Sequence, residues 1–249
     1  MLDLSNSSIY RGNCLDILKD IPNESIDLII TDPPYKVTSK GNSGTMGGYW
    51  TKDITNKGKI FTNNNIKCSE YLPEFYRVLK DKTHCYVMCN NINLIEMITE
   101  GLKVGFNFVK CLIWEKNNKI CGRYYMNCFE YIILFRKGGD RPINDCGTPD
   151  ILNIPIHKLK AGDGKTNLHD TEKPVELMKV LIKNSSNEND IVLEPFMGIG
   201  STCIAAKHLN RKYIGIEVDE KYFKIADQRL KEDNPLNDLD KLSKRVELF

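Results

Sequence analysis

Residues Ile26 to Val37 read IDLIITDPPYKV, and this stretch decides the fold class. Ile26, Leu28, Ile29 and Ile30 form a short, mostly β-branched apolar run, the pattern of a strand buried on both faces. Asp32, Pro33, Pro34 and Tyr35 follow it directly. Two prolines stop a strand and fix φ near −65°, which a plain turn would also use. A carboxylate and a phenol bracketing them are harder to explain as turn chemistry. They stand at the C-terminal edge of a parallel-type strand, where open α/β sheets place their ligands.

Outward from this point, strand and helix patterns alternate, which predicts a mostly parallel sheet with helices on both faces. SIYRG, CLDILKDI and IDLIIT read as strand, amphipathic helix and strand. SEYLPEFYRVLK reads as a helix, HCYVMCN as a strand, and NLIEMITEGL as a helix with Leu94, Ile98 and Leu102 on one stripe. FNFVKCLIWEK and CFEYIILFRKG are long enough to pair antiparallel, joined by the loop NNKICGRYYMN. The final third returns to helix (KPVELMKVLIKN), strand (DIVLEPF), helix (GIGSTCIAAKHL), strand (RKYIGIEV) and an Asp219-capped helix. No linker is rich enough in Pro, Gly or Ser to divide the chain, so residues 1–249 are expected to form one domain. Segment 36–67 is polar and glycine-rich, a long loop of the kind that is functional or mobile in a compact domain. Segment 138–168 lacks periodicity and reads as a small irregular insert.

With 41% hydrophobic and 27% charged residues the composition is that of an ordinary soluble domain. No signal-peptide pattern and no apolar run long enough for a membrane are evident, so a cytoplasmic location is expected. The nine cysteines include no CxxC; Cys85, Cys111 and Cys128 lie in apolar runs as small hydrophobes, and no metal site is expected. Net charge is only +2, but its distribution is uneven. Lys36 to Lys67 holds six lysines and one acid, and Lys110 to Arg141 seven bases and three acids. Glu217 to Asp240 holds eight acids and four bases. One face is thereby suited to a polyanion and the C-terminal end is not. Lys36, Lys40, Lys116, Lys119 and Arg123 are the candidate phosphate or base contacts. Trp114, in CLIWEK, is expected in the core.

A second constellation is VLEPFMGIGSTCIAA. Gly198 and Gly200 lie between a strand and a helix, where missing Cβ atoms allow a tight turn and close ligand approach. The helix start offers free N–H groups to an anionic group, and Ser201 and Thr202 are placed to cap it. The spacing is not G-x-G-x-x-G, which disfavours a dinucleotide. An acid about 20 residues further on commonly accepts hydrogen bonds from a ribose, and Glu217 stands there. A nucleoside with a small zwitterionic tail suits this pair better than a pyrophosphate.

TDPPY, followed downstream by HDTEKPVELM and EPFMGIGST, resembles the S-adenosylmethionine-dependent amino-DNA methyltransferases, N6-adenine or N4-cytosine type. The order matches their circularly permuted (beta) group, and the resemblance runs from YRGNCLDIL to EKYFKIADQRL. It implies a Rossmann-like seven-stranded sheet with one antiparallel strand. It also implies that Asp32, Pro33, Pro34 and Tyr35 are catalytic. The cofactor would be S-adenosylmethionine, bound by Asn13, Lys173, Phe196, Gly198, Gly200, Ser201, Thr202 and Glu217. The implied partner is double-stranded DNA, with a cognate restriction endonuclease in some such systems; monomer and homodimer both stay open. Segment 138–168 would contribute to target recognition and segment 36–67 would face DNA.

The chemistry accounts for these residue types. An exocyclic amine on a base is a poor nucleophile because its lone pair is delocalised into the ring. An ionised Asp32 and the Pro33 carbonyl can hold both amine hydrogens and aim a localised lone pair at a methyl donor. Tyr35 offers a face for a base flipped out of the duplex. Three departures from the family pattern bear on the cofactor. Asn13 stands where an acid is frequent, Glu194 replaces an Asp, and Asp170 replaces a Pro. Asp at position 32 resembles the adenine enzymes, since the cytosine enzymes favour Ser there. An N4-cytosine enzyme is the alternative, followed by a catalytically silent cofactor- or DNA-binding subunit. RNA or protein-glutamine enzymes usually carry Asn at that position.

Overall fold

The computed structural model describes residues 2–34, 66–120, 125–156, 159 and 172–233. Its elements run β1 (Ser8–Arg11), α1 (Cys14–Leu18), β2 (Ile26–Thr31), α2 (Cys68–Val78), β3 (Leu79–Cys89), α3 (Leu94–Val104) and β4 (Asn107–Ile120). They continue β5 (Asn127–Arg136), β6 (Ile151–Asn153), α4 (Val175–Ser185), β7 (Ile191–Glu194), α5 (Ser201–His208), β8 (Lys212–Glu217) and α6 (Glu220–Glu232). They build one eight-stranded sheet in the order β1-β8-β7-β2-β3-β5-β4-β6. Only β5 runs against its neighbours β3 and β4; every other pair is parallel. This is the Rossmann-like arrangement anticipated, with one strand more than the seven expected.

The additional strand is β6, inside the segment read as irregular. Ile151, Leu152 and Asn153 pair with Ile113, Trp114 and Glu115, and Leu152 is buried. Three residues are too few for periodicity to register; the open edge of β4 supplies their partner. β4 also extends through Ile120, past the point where sequence placed a loop, with a register shift between Glu115 and Ile120. In α3 the buried side is Met97 and Gly101, whereas Leu102 is exposed. Of the stripe read from sequence, Leu94 and Ile98 do pack against the core, while the Phe135 ring approaches Gly101, where a Cβ would stand, and leaves Leu102 outside.

Strand alternation sorts the interior into two layers. On one face Ile29, Cys85, Val87, Cys89, Ile133 and Phe135 meet Tyr71, Leu72 and Phe75 of α2 and Met97 of α3. On the other, Leu28, Ile30, Tyr86, Met88, Trp114, Ile132 and Leu134 meet Leu177, Met178, Leu181 and Ile182 of α4. Trp114 is core, as expected, its indole N–H donating to the Ile154 carbonyl at 2.7 Å. No described helix is long and apolar enough to cross a membrane.

The chain leaves β2 toward β3 and leaves β7 toward β8, in opposite directions across the sheet. β2 and β7 are neighbours, so their carboxyl ends flank the topological switch point, the general ligand crevice of open α/β sheets.

Candidate active site

Both sequence constellations reach this crevice. Asp32 directly follows β2 and shares the face of Leu28 and Ile30, since side chains two residues apart point the same way. Across the switch point, β7 ends in Glu194 and turns through Phe196 to Gly200 into α5. The two ends are tied together: Thr31 Oγ1 donates to Glu194 Oε1 at 2.6 Å, and Thr202 Oγ1 to Glu194 Oε2 at 2.9 Å. The Phe196 N–H adds a third bond at 3.2 Å. Burial nevertheless raises the Glu194 carboxyl to about 8. Its two oxygens bridge the two threonines.

Gly198 and Gly200 take φ of 54° and 85°, the left-handed region that costs a Cβ-bearing residue about 1–2 kcal/mol. A Cβ on residue 200 would press on Ala226 of α6 at 3.3 Å. Gly200 therefore serves packing, and Gly198 turns its N–H to Glu217. Gly200 is itself the N-cap of α5, without a side-chain cap. The sequence expectation that Ser201 and Thr202 cap this helix is corrected: both are buried and point at carboxylates, Thr202 at Glu194 and Ser201 at Glu172.

Glu217 ends β8 beside the turn. Its Oε2 accepts from the Gly198 N–H and its Oε1 from the Asp219 N–H, both at 2.8 Å. Burial pushes this carboxyl up and the two N–H groups pull against it. A carboxylate has about four lone-pair sites, so it keeps acceptor capacity for ribose hydroxyls while fixing the loop. Phe196 packs edge-on against Tyr71, ring centroids 5.4 Å apart. Asn13 caps α1 by accepting from the Leu15 N–H at 3.0 Å, which leaves its amide N–H₂ for a ligand. The glycine turn and the acid beside it fit a nucleoside cofactor.

Lys173 belongs to the other half of the site. Its ammonium is hydrogen-bonded to Asp32 Oδ2 and lies 3.3 Å from Glu130 Oε2. The other Glu130 oxygen holds the ammonium of Lys116, which also stands 4.9 Å from the Trp114 ring centroid. All of these side chains lie deep, Lys173 and Lys116 each only 9% exposed. Glu130 is opposite Trp114 in the β4–β5 register, and Lys116 is two residues from Trp114, so the three share one face. Because β5 runs antiparallel, its early residues reach the carboxyl edge of the parallel strands, where Asp32 is. Lys116, read from sequence as a DNA contact, has its ammonium paired with Glu130 and set over the indole ring of Trp114.

Burial pushes the Asp32 carboxyl up, against the pull of Lys173, and Glu130 adds to the rise. Burial works the same way on Glu130, but Lys173 and Lys116 outweigh it and hold that carboxyl below the usual range. Asp32 Oδ1 is buried and has no hydrogen-bond partner among the described residues. A buried, unsatisfied acceptor costs about 1–3 kcal/mol, which an incoming donor would relieve.

Glu172, next to Lys173, faces the opposite way, paired with Arg229 of α6 at 3.1 Å. Arg229 in turn donates to the Ile199 carbonyl at 2.6 Å. The dipeptide thus braces the glycine turn with one residue and Asp32 with the next. Glu130, Glu172 and Arg229 were not singled out from sequence; for Glu130 the signal was a lone acid inside the apolar run CFEYIILF. Lys119 is exposed on late β4. Pro33 is buried and Pro34 half-buried. Tyr35, Lys36, Lys40 and Arg123 lie outside the described residues.

Comparison with known proteins bears on the family and the fold. The type II methyltransferase M.HinfI of Haemophilus influenzae is 32% identical over 96% of this chain and 73% of its own length. M2.MboI of Moraxella bovis is 30% identical over 94% and 91%. The crystal structure of M1.HpyAVI superposes with a TM-score of 0.65 at 26% identity, covering 90% of this chain and 98% of that one. PvuII DNA methyltransferase (cytosine-N4-specific) shares the fold, with a TM-score of 0.70 at 18% identity, over 95% and 91%. Residues 26–228 match the family model described as DNA methylase, and the chain belongs to that family.

Proposed function

We propose that this DNA methyltransferase, whose methyl donor is S-adenosylmethionine, modifies the N6 amine of adenine in duplex DNA. Asp32 carries the reading. One of its oxygens is pinned by Lys173 and the other is buried, unpartnered among the described residues and set at the switch-point crevice. A neutral exocyclic amine needs such an acceptor. Asp32 Oδ1 takes one amine hydrogen and the Pro33 carbonyl the other, which localises the nitrogen lone pair. Bound S-adenosylmethionine supplies the electrophilic methyl on a sulfonium. Phe196, Gly198 and Glu217 hold it, Glu217 through the ribose, with the α5 start beside it. Pro33 and Pro34 keep the acceptor backbone rigid, and Tyr35 stacks on the flipped base. Solved neighbours in complex with S-adenosylmethionine share this fold. The choice of adenine over cytosine rests on Asp at position 32.

Mass spectrometry of nucleosides from DNA incubated with protein and cofactor tests this. N6-methyladenine is expected; N4-methylcytosine would replace the adenine assignment. Asp32→Asn keeps the shape but presents an amide donor and removes the charge that steadies positive charge growing on nitrogen. It is expected to lose roughly 10²-fold or more in turnover with cofactor binding retained, and near wild-type turnover would refute the mechanism.

A further inference from the structure

We infer that Glu130 and Lys116 are positioning residues for methyl transfer: Glu130 holds Lys173 against one oxygen of Asp32, so that the other faces the target amine. This rests on the reading of Asp32 as the amine acceptor and deepens it. Lys173 has a long stem with roughly 2 kcal/mol of rotamer freedom and would not stay on Asp32 unaided. Glu130 limits it from one side, at 3.3 Å from its ammonium. Lys116 fixes Glu130 in turn from β4, and its own position is set against the Trp114 ring. The row of side chains ends on a fully packed core residue.

The network also sets which protonation state of Asp32 the amine meets. Facing Asp32 are Lys173 before α4, Glu130 on β5, Lys116 on β4, Glu194 at the end of β7 and the Cys89 thiol on β3. Lys173 and Lys116 favour the carboxylate that must accept the hydrogen, while Glu130 opposes it. Activity is present above the Asp32 pKa and lost as pH falls through it, so the acid limb of the rate profile reads that pKa. Removing Lys173 moves the limb to higher pH; removing Glu130 moves it to lower pH. A scaffold that merely holds the strands together would move neither.

Single-turnover rates across pH, with cofactor affinity and melting temperature as controls, are the test, using Glu130→Gln, Lys173→Met, Lys173→Arg and Asp32→Asn. Glu130→Gln is expected to slow transfer by up to about 10²-fold through misplacement with cofactor affinity unchanged, and to shift the acid limb down. Lys173→Met is expected to shift it up by about 1–3 pH units, and Lys173→Arg to restore it. If Lys173→Met does not fold, the Glu130→Gln limb decides. An acid limb unmoved in Glu130→Gln, with Asp32→Asn inactive, overturns the positioning role alone. An active Asp32→Asn overturns the amine-acceptor reading and this one with it.

Discussion

Glu194→Gln isolates the energetic consequence of a carboxyl buried between two strand ends. In the folded protein this group protonates at about 8, against an ordinary value of 4.5. The folded state thus keeps a proton that the unfolded chain gives up above 4.5. The stability contributed by the neutral carboxyl is fully present below 4.5 and is lost as pH rises to about 8; beyond that both states are ionised and the loss is complete. At about 1.4 kcal/mol per pH unit, the interval amounts to roughly 5 kcal/mol. A neutral glutamine of the same shape has no such dependence, and its amide can still meet Thr31 and Thr202. The melting temperature of the variant should match wild type near pH 4.5 and pull ahead steadily up to pH 8. At about 2–4 °C per kcal/mol for a chain of this size, the final gap would be on the order of 10–20 °C. Parallel melting curves from pH 4.5 to 9 measure it. A gap independent of pH, or a variant less stable throughout, would show that Glu194 is ionised in the fold and held by its three donors.

Gly198→Val places a β-branched side chain at a positive φ in the turn held by Glu217. Strain of about 1–3 kcal/mol should lower the melting temperature modestly, whereas calorimetry should find S-adenosylmethionine binding abolished; unchanged affinity would remove the turn from the cofactor site. Reversing Lys36, Lys40 and Lys52 should weaken binding to all duplex sequences alike, the salt slope falling by about one for each phosphate no longer neutralised. A weakening confined to one target sequence would instead mean that these residues read bases.

The two halves of the site differed in how far they could be read before folding. Asp32 and the Gly198–Gly200 turn announce themselves locally. A proline pair halts a buried strand, or glycines join a strand to a helix, and the constraint lies within a few residues. Glu217 was legible because the distance from a glycine turn to the end of the next strand is set by one intervening helix. The alternation of strands and helices likewise indicated the layered sheet, and the long FNFVKCLIWEK and CFEYIILFRKG runs indicated the antiparallel pair. β6 and the place of Gly101 rather than Leu102 on the inward side of α3 were not legible, since each answers to a neighbour: the free edge of β4 in one case, the Phe135 ring in the other.

Sequence alone therefore determined the fold class and the place of Asp32 and of the glycine turn at strand ends, products of short-range sterics and periodicity. Only the tertiary structure decided which charged residues meet. Lys116 and Lys173 were read from sequence toward DNA and cofactor; the β4–β5 register and the segment before α4 set both around Glu130, with Asp32 at the end of the row. The residues of that network are 14 to 141 positions apart along the chain. A lysine's charge has no periodicity to betray its partner; its energy depends on which opposite charge shares its burial, and that is set by packing.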